Sequence, residues 1–154
     1  MPKQFANWRG KPVVRHSVEA LLNAGAKQVV VAIPEGADDM ASAALFGLDV
    51  ALATGGATRQ ESVRRALEAI GATDRVLIHD AARPSLSRPV IERLLRALDK
   101  YPGAIPVVPV IDSLAVDLGG VMSGSADRST LRRVQTPQAF RFADILSAHR
   151  AWTG

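Results

Sequence analysis

The stretch Arg75-Val76-Leu77-Ile78-His79-Asp80-Ala81-Ala82-Arg83-Pro84 decides how the rest of the chain is read. Arg75 to His79 is a short, mostly apolar run that stops abruptly at a polar turn. Too short for a helix, it suits a strand buried on both faces. A carboxylate and an arginine three residues apart then leave the strand together, with two small alanines between them. Working outward, Gln28 to Ile33 (Gln-Val-Val-Val-Ala-Ile) is a second such run, closed by Pro34-Glu35-Gly36. Leu48 to Ala53 is a weaker third and Ala104 to Val110 a fourth. Helical patterns alternate with these runs. One covers Pro12 to Ala24, with Val14, Val18, Leu21 and Leu22 on one face and Gly25 as its stop. The others cover about Asp38–Phe46, Arg59–Ile70, Ser87 to Lys100 with Pro89 in the first turn, and Phe142–Arg150. Thr58 followed by Glu61 reads as a capping box. Such alternation predicts an α/β domain with a doubly wound, mostly parallel sheet. Between Ile111 and Gln135 the alternation fails. Gly119-Gly120 and Ser123-Gly124 read there as turn tips of an inserted β-arm. The whole of 1–154 is expected to be one domain.

The 154 residues suffice for a buried core. Having no cysteine, the chain can form no disulfide, thiolate zinc site or cysteine nucleophile. No apolar run reaches the ~18 residues of a membrane span, and Met1 to Phe5 has no apolar stretch typical of a signal peptide. A cytoplasmic protein without membrane association is therefore expected. The formal net charge of +4, carried mostly by arginine, suits anionic ligands. The basic residues are spread over helices instead of forming a stripe with interleaved aromatics, so no nucleic-acid partner is expected.

In open parallel sheets ligands sit beyond the carboxyl ends of the strands. Gly55 and Gly56 follow one strand, where the backbone can approach a ligand. The following helix offers free N–H groups, and Ser62 a hydroxyl. An ordinary strand-to-helix turn would look the same. Asp80 can hold Mg²⁺ through oxygen and Arg83 can clamp a phosphate; an aspartate-capped turn with a surface arginine is the alternative. Asp112 and Ser113 follow the fourth strand. Asp127-Arg128 and Gln135-Thr136-Pro137-Gln138 come after the arm. The carboxylate pair Asp80 and Asp112, with these arginines and hydroxyls on one sheet edge, is a set suited to phosphoryl or nucleotidyl transfer. The sequence contains neither a P-loop nor a Gly-x-Ser-x-Gly elbow. His16, His79 and His149 lack metal-ligand spacing and read as structural, with His79 packing at the strand end.

Six motifs occur in order: Pro2-Lys3-Gln4, Gly55-Gly56-x-x-Arg59-x-x-Ser62-Val63, His79 to Pro84, Pro109-x-x-Asp112-Ser113, Asp127-Arg128 and Gln135 to Gln138. On these, the chain resembles the 2-C-methyl-D-erythritol 4-phosphate cytidylyltransferases of non-mevalonate isoprenoid synthesis. The resemblance implies a nucleotide-diphospho-sugar transferase-like fold and a reaction of CTP with the polyol phosphate, giving the CDP-alcohol and pyrophosphate with Mg²⁺ assistance. It implies that Lys3 stabilises the triphosphate and that Gly56, Ala57, Ser62 and Ala81 hold the nucleotide. Asp80 would face metal and substrate. Arg83, Ser113, Arg128 and Thr136 would bind the sugar phosphate, with Arg128 positioning the attacking group. The arm would dimerise, bringing Arg128 and Thr136 to the partner subunit's site. Ribitol 5-phosphate enzymes share several of these motifs and stay open as an alternative, as does a catalytically silent nucleotide- or partner-binding domain. The family's glycine-rich triphosphate loop precedes the position where this chain starts. Its lysine after the Asp-Thr pair is replaced here, in Asp112-Ser113-Leu114-Ala115, and a further strand with a substrate lysine follows the last helix. The resemblance therefore implies a chain shortened at both ends, with a gap or exposed edge in the sheet and little or no turnover on its own.

Overall fold

In the computed structural model, residues 2–152 are described. A 3₁₀ turn at Lys3–Phe5 buries Phe5. A two-residue hairpin, β1 (Asn7–Trp8) with β2 (Lys11–Pro12), then leads into helix α1 (Val13–Asn23). Sequence reading passes over both of these small elements. Helix α1 buries Val14 and Val18, and it ends where Gly25 takes φ +95°, a conformation costly for residues with a Cβ. Strand β3 (Val30–Ile33) follows, then α2 (Asp38–Ala44), and β4 (Ala51–Thr54) pairs parallel to β3. The β4 strand begins three residues later than expected, because Gly47 at φ +79° and the turn after it use up the first part of the apolar run. Helix α3 (Arg59–Ala69) packs on β3 and β4 and buries Leu67 at 2% exposure.

Strand β5 (Arg75–Ile78) and helix α4 (Arg88–Ala97) lead to the second half of the fold. The expected strand Ala104–Val110 is two pieces, β6 (Gly103–Ala104) and β7 (Val107–Pro109), in different sheets. Pro106 lies between them and, having no N–H, cannot carry a ladder through. An unforeseen strand, β11 (Gln138–Arg141), lies antiparallel between β5 and β6, so β5 and β6 run parallel to each other across it. The Phe140 ring covers Gly103, where an added Cβ would lie 2.7 Å from the ring. Helix α5 (Phe142–Ala151) then packs on α3. The α/β architecture is thus as expected: β3 and β4 pair parallel, β5 and β6 share a direction, and β11 runs antiparallel between those two.

The arm is a hairpin of β8 (Ala115–Leu118) and β9 (Val121–Ser125) with Gly119-Gly120 at its tip. Ser123-Gly124 is not a second tip. It lies inside β9, at an irregularity in the register. Strand β10 (Arg132–Val134) brings the chain back beside β7.

Among the described residues β3 pairs only with β4, and β5 only with β11. Between β3 and β5 lies a cavity of about 260 Å³, walled by Val31, Val76, Val18 and Leu67. A second, of about 620 Å³, adjoins Gln28, Val30, Arg75 and Leu77. Arg59, Ser62, His79 and Asp80, at the carboxyl ends of the strands, also line the first.

Candidate active site

Two loops dominate the carboxyl edge. The first joins β4 to α3. Thr58 caps α3, its hydroxyl accepting the Glu61 N–H at 3.1 Å. The reciprocal half of the expected capping box is displaced by one residue: the Glu61 carboxylate accepts the Ala57 N–H at 2.9 Å instead of that of Thr58. Arg65 pairs with the same carboxylate and donates to the Gly55 carbonyl at 2.9 Å. The Ala57 N–H and then Arg65 hold the Glu61 pKa below the ordinary glutamate value. Sequence reading has the Ser62 hydroxyl free for a ligand. Here the oxygen accepts the Gly56 N–H at 3.0 Å and its hydrogen is directed to the Thr58 carbonyl at 2.9 Å. The Gly56 and Ala57 amides, both expected to hold a nucleotide, are thus occupied from within the loop. A Cβ on Gly55 would lie 2.9 Å from Ser62 Oγ and 3.2 Å from the Ile33 carbonyl oxygen, so this loop closes on itself tightly.

The second loop is the Asp80–Arg83 turn, closed by the Arg83 N–H on the Asp80 carbonyl at 2.9 Å. The Asp80 carboxylate is bracketed by two guanidinium groups, Arg59 Nη2 at 3.0 Å and Arg83 Nε at 3.3 Å. Arg83 also donates to Gln135 Oε1 at 2.8 Å. Ser17, buried at 3% exposure in α1, points its hydroxyl at the carbonyls of Ala81 and Arg83, each 3.3 Å away. Thr136, which precedes a cis proline, lies 3.0 Å from His79 Nδ1 and accepts the Asp80 N–H at 3.4 Å. The other ring nitrogen of His79 meets the Arg83 carbonyl at 2.7 Å. Burial depresses the His79 pKa, and the Arg83 carbonyl and the Asp80 charge oppose that shift. The net shift favours the neutral ring. With both ring nitrogens hydrogen-bonded, His79 is more than strand-end packing. His79, Arg59 and Gln135 stand in the sequence motifs with no site role given to them, and Ser17 stands in none. Thr136 lies 57 residues from His79, and the partners of Arg59, Gln135 and Ser17 lie 21 to 66 residues away, so no local spacing signals these contacts.

The structure brings together Gly56, Ala57, Ser62, Ala81, Asp80, Arg83 and Thr136 at one sheet edge; Thr136 thus stands beside His79 and Asp80 of its own chain, not at a partner subunit's site as the resemblance implies. It does not join the others to them. Arg128 Nη1 donates to the Ile111 carbonyl at 2.8 Å, at the base of the arm. Ser113, Asp112 and Lys3 are exposed, and among the described residues no hydrogen bond or ion pair links them to the Asp80 network. Nor do the described residues contain a cluster of three or more metal-ligating acidic, histidine or cysteine side chains. No helix in them is long and apolar enough to cross a membrane.

Comparison with known proteins places the chain in a family. The profile described as 2-C-methyl-D-erythritol 4-phosphate cytidylyltransferase (IspD) matches residues 1–153. The chain is 64% identical over 157 residues to a bifunctional enzyme IspD/IspF of Erythrobacter litoralis, aligning with all of this chain and 41% of that protein. It is 47% identical to a 2-C-methyl-D-erythritol 4-phosphate cytidylyltransferase of Cereibacter sphaeroides, again over all of this chain and 71% of the relative. The fold superposes on the crystal structure of the Thermus thermophilus cytidylyltransferase with a TM-score of 0.83 at 38% identity, covering 97% of this chain and 70% of that one. The chain thus spans about two fifths of the bifunctional relatives and seven tenths of a monofunctional one. It belongs to the 2-C-methyl-D-erythritol 4-phosphate cytidylyltransferase family.

Proposed function

We propose that this chain forms the greater part of a domain that transfers a cytidylyl group from CTP to 2-C-methyl-D-erythritol 4-phosphate, in isoprenoid synthesis. The observation that carries this reading is the family match over residues 1–153, with Asp80, Arg83, Arg59 and Thr136 assembled at the carboxyl sheet edge. A phosphate oxygen of the polyol attacks the α-phosphorus of CTP in line. The new P–O bond forms as the bond to the β-phosphate oxygen breaks, and pyrophosphate leaves. Such a transfer needs positioning and charge neutralisation more than covalent catalysis.

The residues divide accordingly. Lys3, exposed at the start of the chain, stabilises negative charge on the triphosphate. Gly56, Ala57, Ser62 and Ala81 form the nucleotide side, where binding exchanges the internal Ser62 and Glu61 bonds for ligand contacts. Arg83 and Thr136 receive the polyol phosphate. Ser113 and Arg128 join them through a homodimer built on the arm, with Arg128 positioning the attacking phosphate. The exposed Val116, Leu118, Val121 and Met122 of the hairpin supply an apolar surface for that contact. A single carboxylate suits Mg²⁺ that arrives with the triphosphate better than a resident ion, since Mg²⁺ usually keeps waters and substrate oxygens. Asp80 would hold it on release from Arg59 or Arg83, and bound Mg²⁺ supplies charge neutralisation. We place the protein in the cytoplasm.

The test is an assay of the full-length gene product with CTP and either methylerythritol 4-phosphate or ribitol 5-phosphate. Pyrophosphate release only with the first is expected. Preference for ribitol 5-phosphate would move the protein to the polyol relatives, and CTP binding without pyrophosphate release would make the domain a silent one.

A further inference from the structure

His79 sits between two of the residues assigned above to the polyol phosphate, and its hydrogen bonds have a fixed direction. A carbonyl can only accept, so the 2.7 Å contact to the Arg83 carbonyl puts the ring hydrogen on Nε2. In the neutral ring Nδ1 is then a bare acceptor, and the Thr136 hydroxyl at 3.0 Å must donate to it. The oxygen of that hydroxyl takes the Asp80 N–H at 3.4 Å. The bonds run one way: Asp80 amide to Thr136, Thr136 to His79, His79 to the Arg83 carbonyl. Arranged head to tail, they polarise one another, so each member stiffens the next. The ring is half-buried, and Ser17 Oγ lies 3.3 Å from the same Arg83 carbonyl from beneath.

We propose that His79 is a positioning residue. It fixes the direction of the Thr136 hydroxyl and the placement of the Arg83 turn, so that both are set before a polyol phosphate binds. It touches neither substrate and acts through Thr136 and Arg83. The inference rests on the functional reading above and deepens it.

The experiment uses the full-length protein, with CTP and methylerythritol 4-phosphate varied separately. His79→Ala should raise KM for the polyol phosphate about tenfold, the scale of one lost hydrogen bond, and leave KM for CTP within about twofold. His79→Asn can keep an acceptor near Thr136, and His79→Gln a donor near the Arg83 carbonyl. Each should recover part of the loss, which also guards against a His79→Ala variant that fails to fold. Adding Thr136→Val to His79→Ala should cost less than the sum of the two single changes. Equal rises in both KM values, no rescue by Asn or Gln, or strict additivity would each overturn the proposal. The nitrogen-15 spectrum of the imidazole decides independently of turnover. An Nε2–H ring with a slowly exchanging Thr136 hydroxyl supports the inference, and an Nδ1–H ring refutes it. If the wild type is inactive with the polyol phosphate, the functional reading fails, and the spectrum still decides on His79.

Discussion

The two loops at the carboxyl edge reach rigidity by opposite means. The loop from Gly55 to Ser62 is tied almost wholly by its own residues and the next turn of α3: Thr58 to Glu61, Glu61 to Ala57, Ser62 to Gly56 and Thr58, Arg65 to Gly55. The turn from Asp80 to Arg83 has local ties in its own N–H to carbonyl closure, the Asp80–Arg83 ion pair and His79, but it also depends on side chains from Ser17, Arg59, Gln135 and Thr136, separated from it by 21 to 66 residues. The first can form as soon as its helix does. The second gains its full set of ties only when α1, α3 and the segment after β10 are already in place. A local loop therefore reports on helix stability, whereas the remote one reports on the whole fold and is where function is most exposed to distant change.

The largest expected effect breaks the remote loop. Asp80→Asn keeps the shape and removes the charge between Arg59 and Arg83. In the full-length enzyme kcat/KM should fall by about 10²–10³, as when one preorganised electrostatic contact is lost. Steady-state rates measure this, and a loss below tenfold would show that the carboxylate is structural. Gly55→Ala attacks the local loop, because the new methyl meets Ser62 Oγ and the Ile33 carbonyl. A cost of about 1–3 kcal/mol is expected from such crowding, read as a lower urea midpoint. Thr58→Ala removes only the cap and should cost about 1 kcal/mol, with less effect on polyol phosphate KM than any change at Asp80.

The smallest effect is a pH dependence. Glu61 titrates below the ordinary glutamate value when folded, so its contribution is complete above the unfolded pKa. It disappears as pH falls through the depressed folded value. Glu61→Gln should therefore lower the urea midpoint slightly at pH 7, and the difference should shrink as the pH falls through the depressed folded value. A difference that stays constant as the pH falls would mean that the carboxylate charge is not what holds Ala57.

The same contrast explains what could be read from the chain alone. Thr58, Glu61 and Ser62 lie together in sequence, so the loop, its cap and the helix after it were legible. The Asp80–Arg83 turn was legible as a polar strand end, yet its partners were not, since His79 and Thr136 lie 57 residues apart. Strand β11 was missed because Gln138-Ala139-Phe140-Arg141 shows little apolar alternation. What holds it is tertiary: Ala139 has no exposure, and Phe140 lies over Gly103. The Pro137 before it was the usable signal for a boundary. In the arm, the paired glycines gave the tip, while Ser123-Gly124 mimicked a turn at an irregular point of the β9 ladder.

The Glu61 carboxylate on the Ala57 amide has a consequence for selectivity. It is an anion tethered four residues from the amide it covers, hence present there at a high effective concentration. Any incoming anion competes with this resident one. A free phosphate or sulfate, offering one weak exchange, gains little by evicting it. A nucleotide that makes several contacts at once can afford the exchange. If the loop receives the nucleotide as proposed, it would act as a threshold, closed to simple anions abundant in a cell and open to a ligand large enough to replace what it displaces.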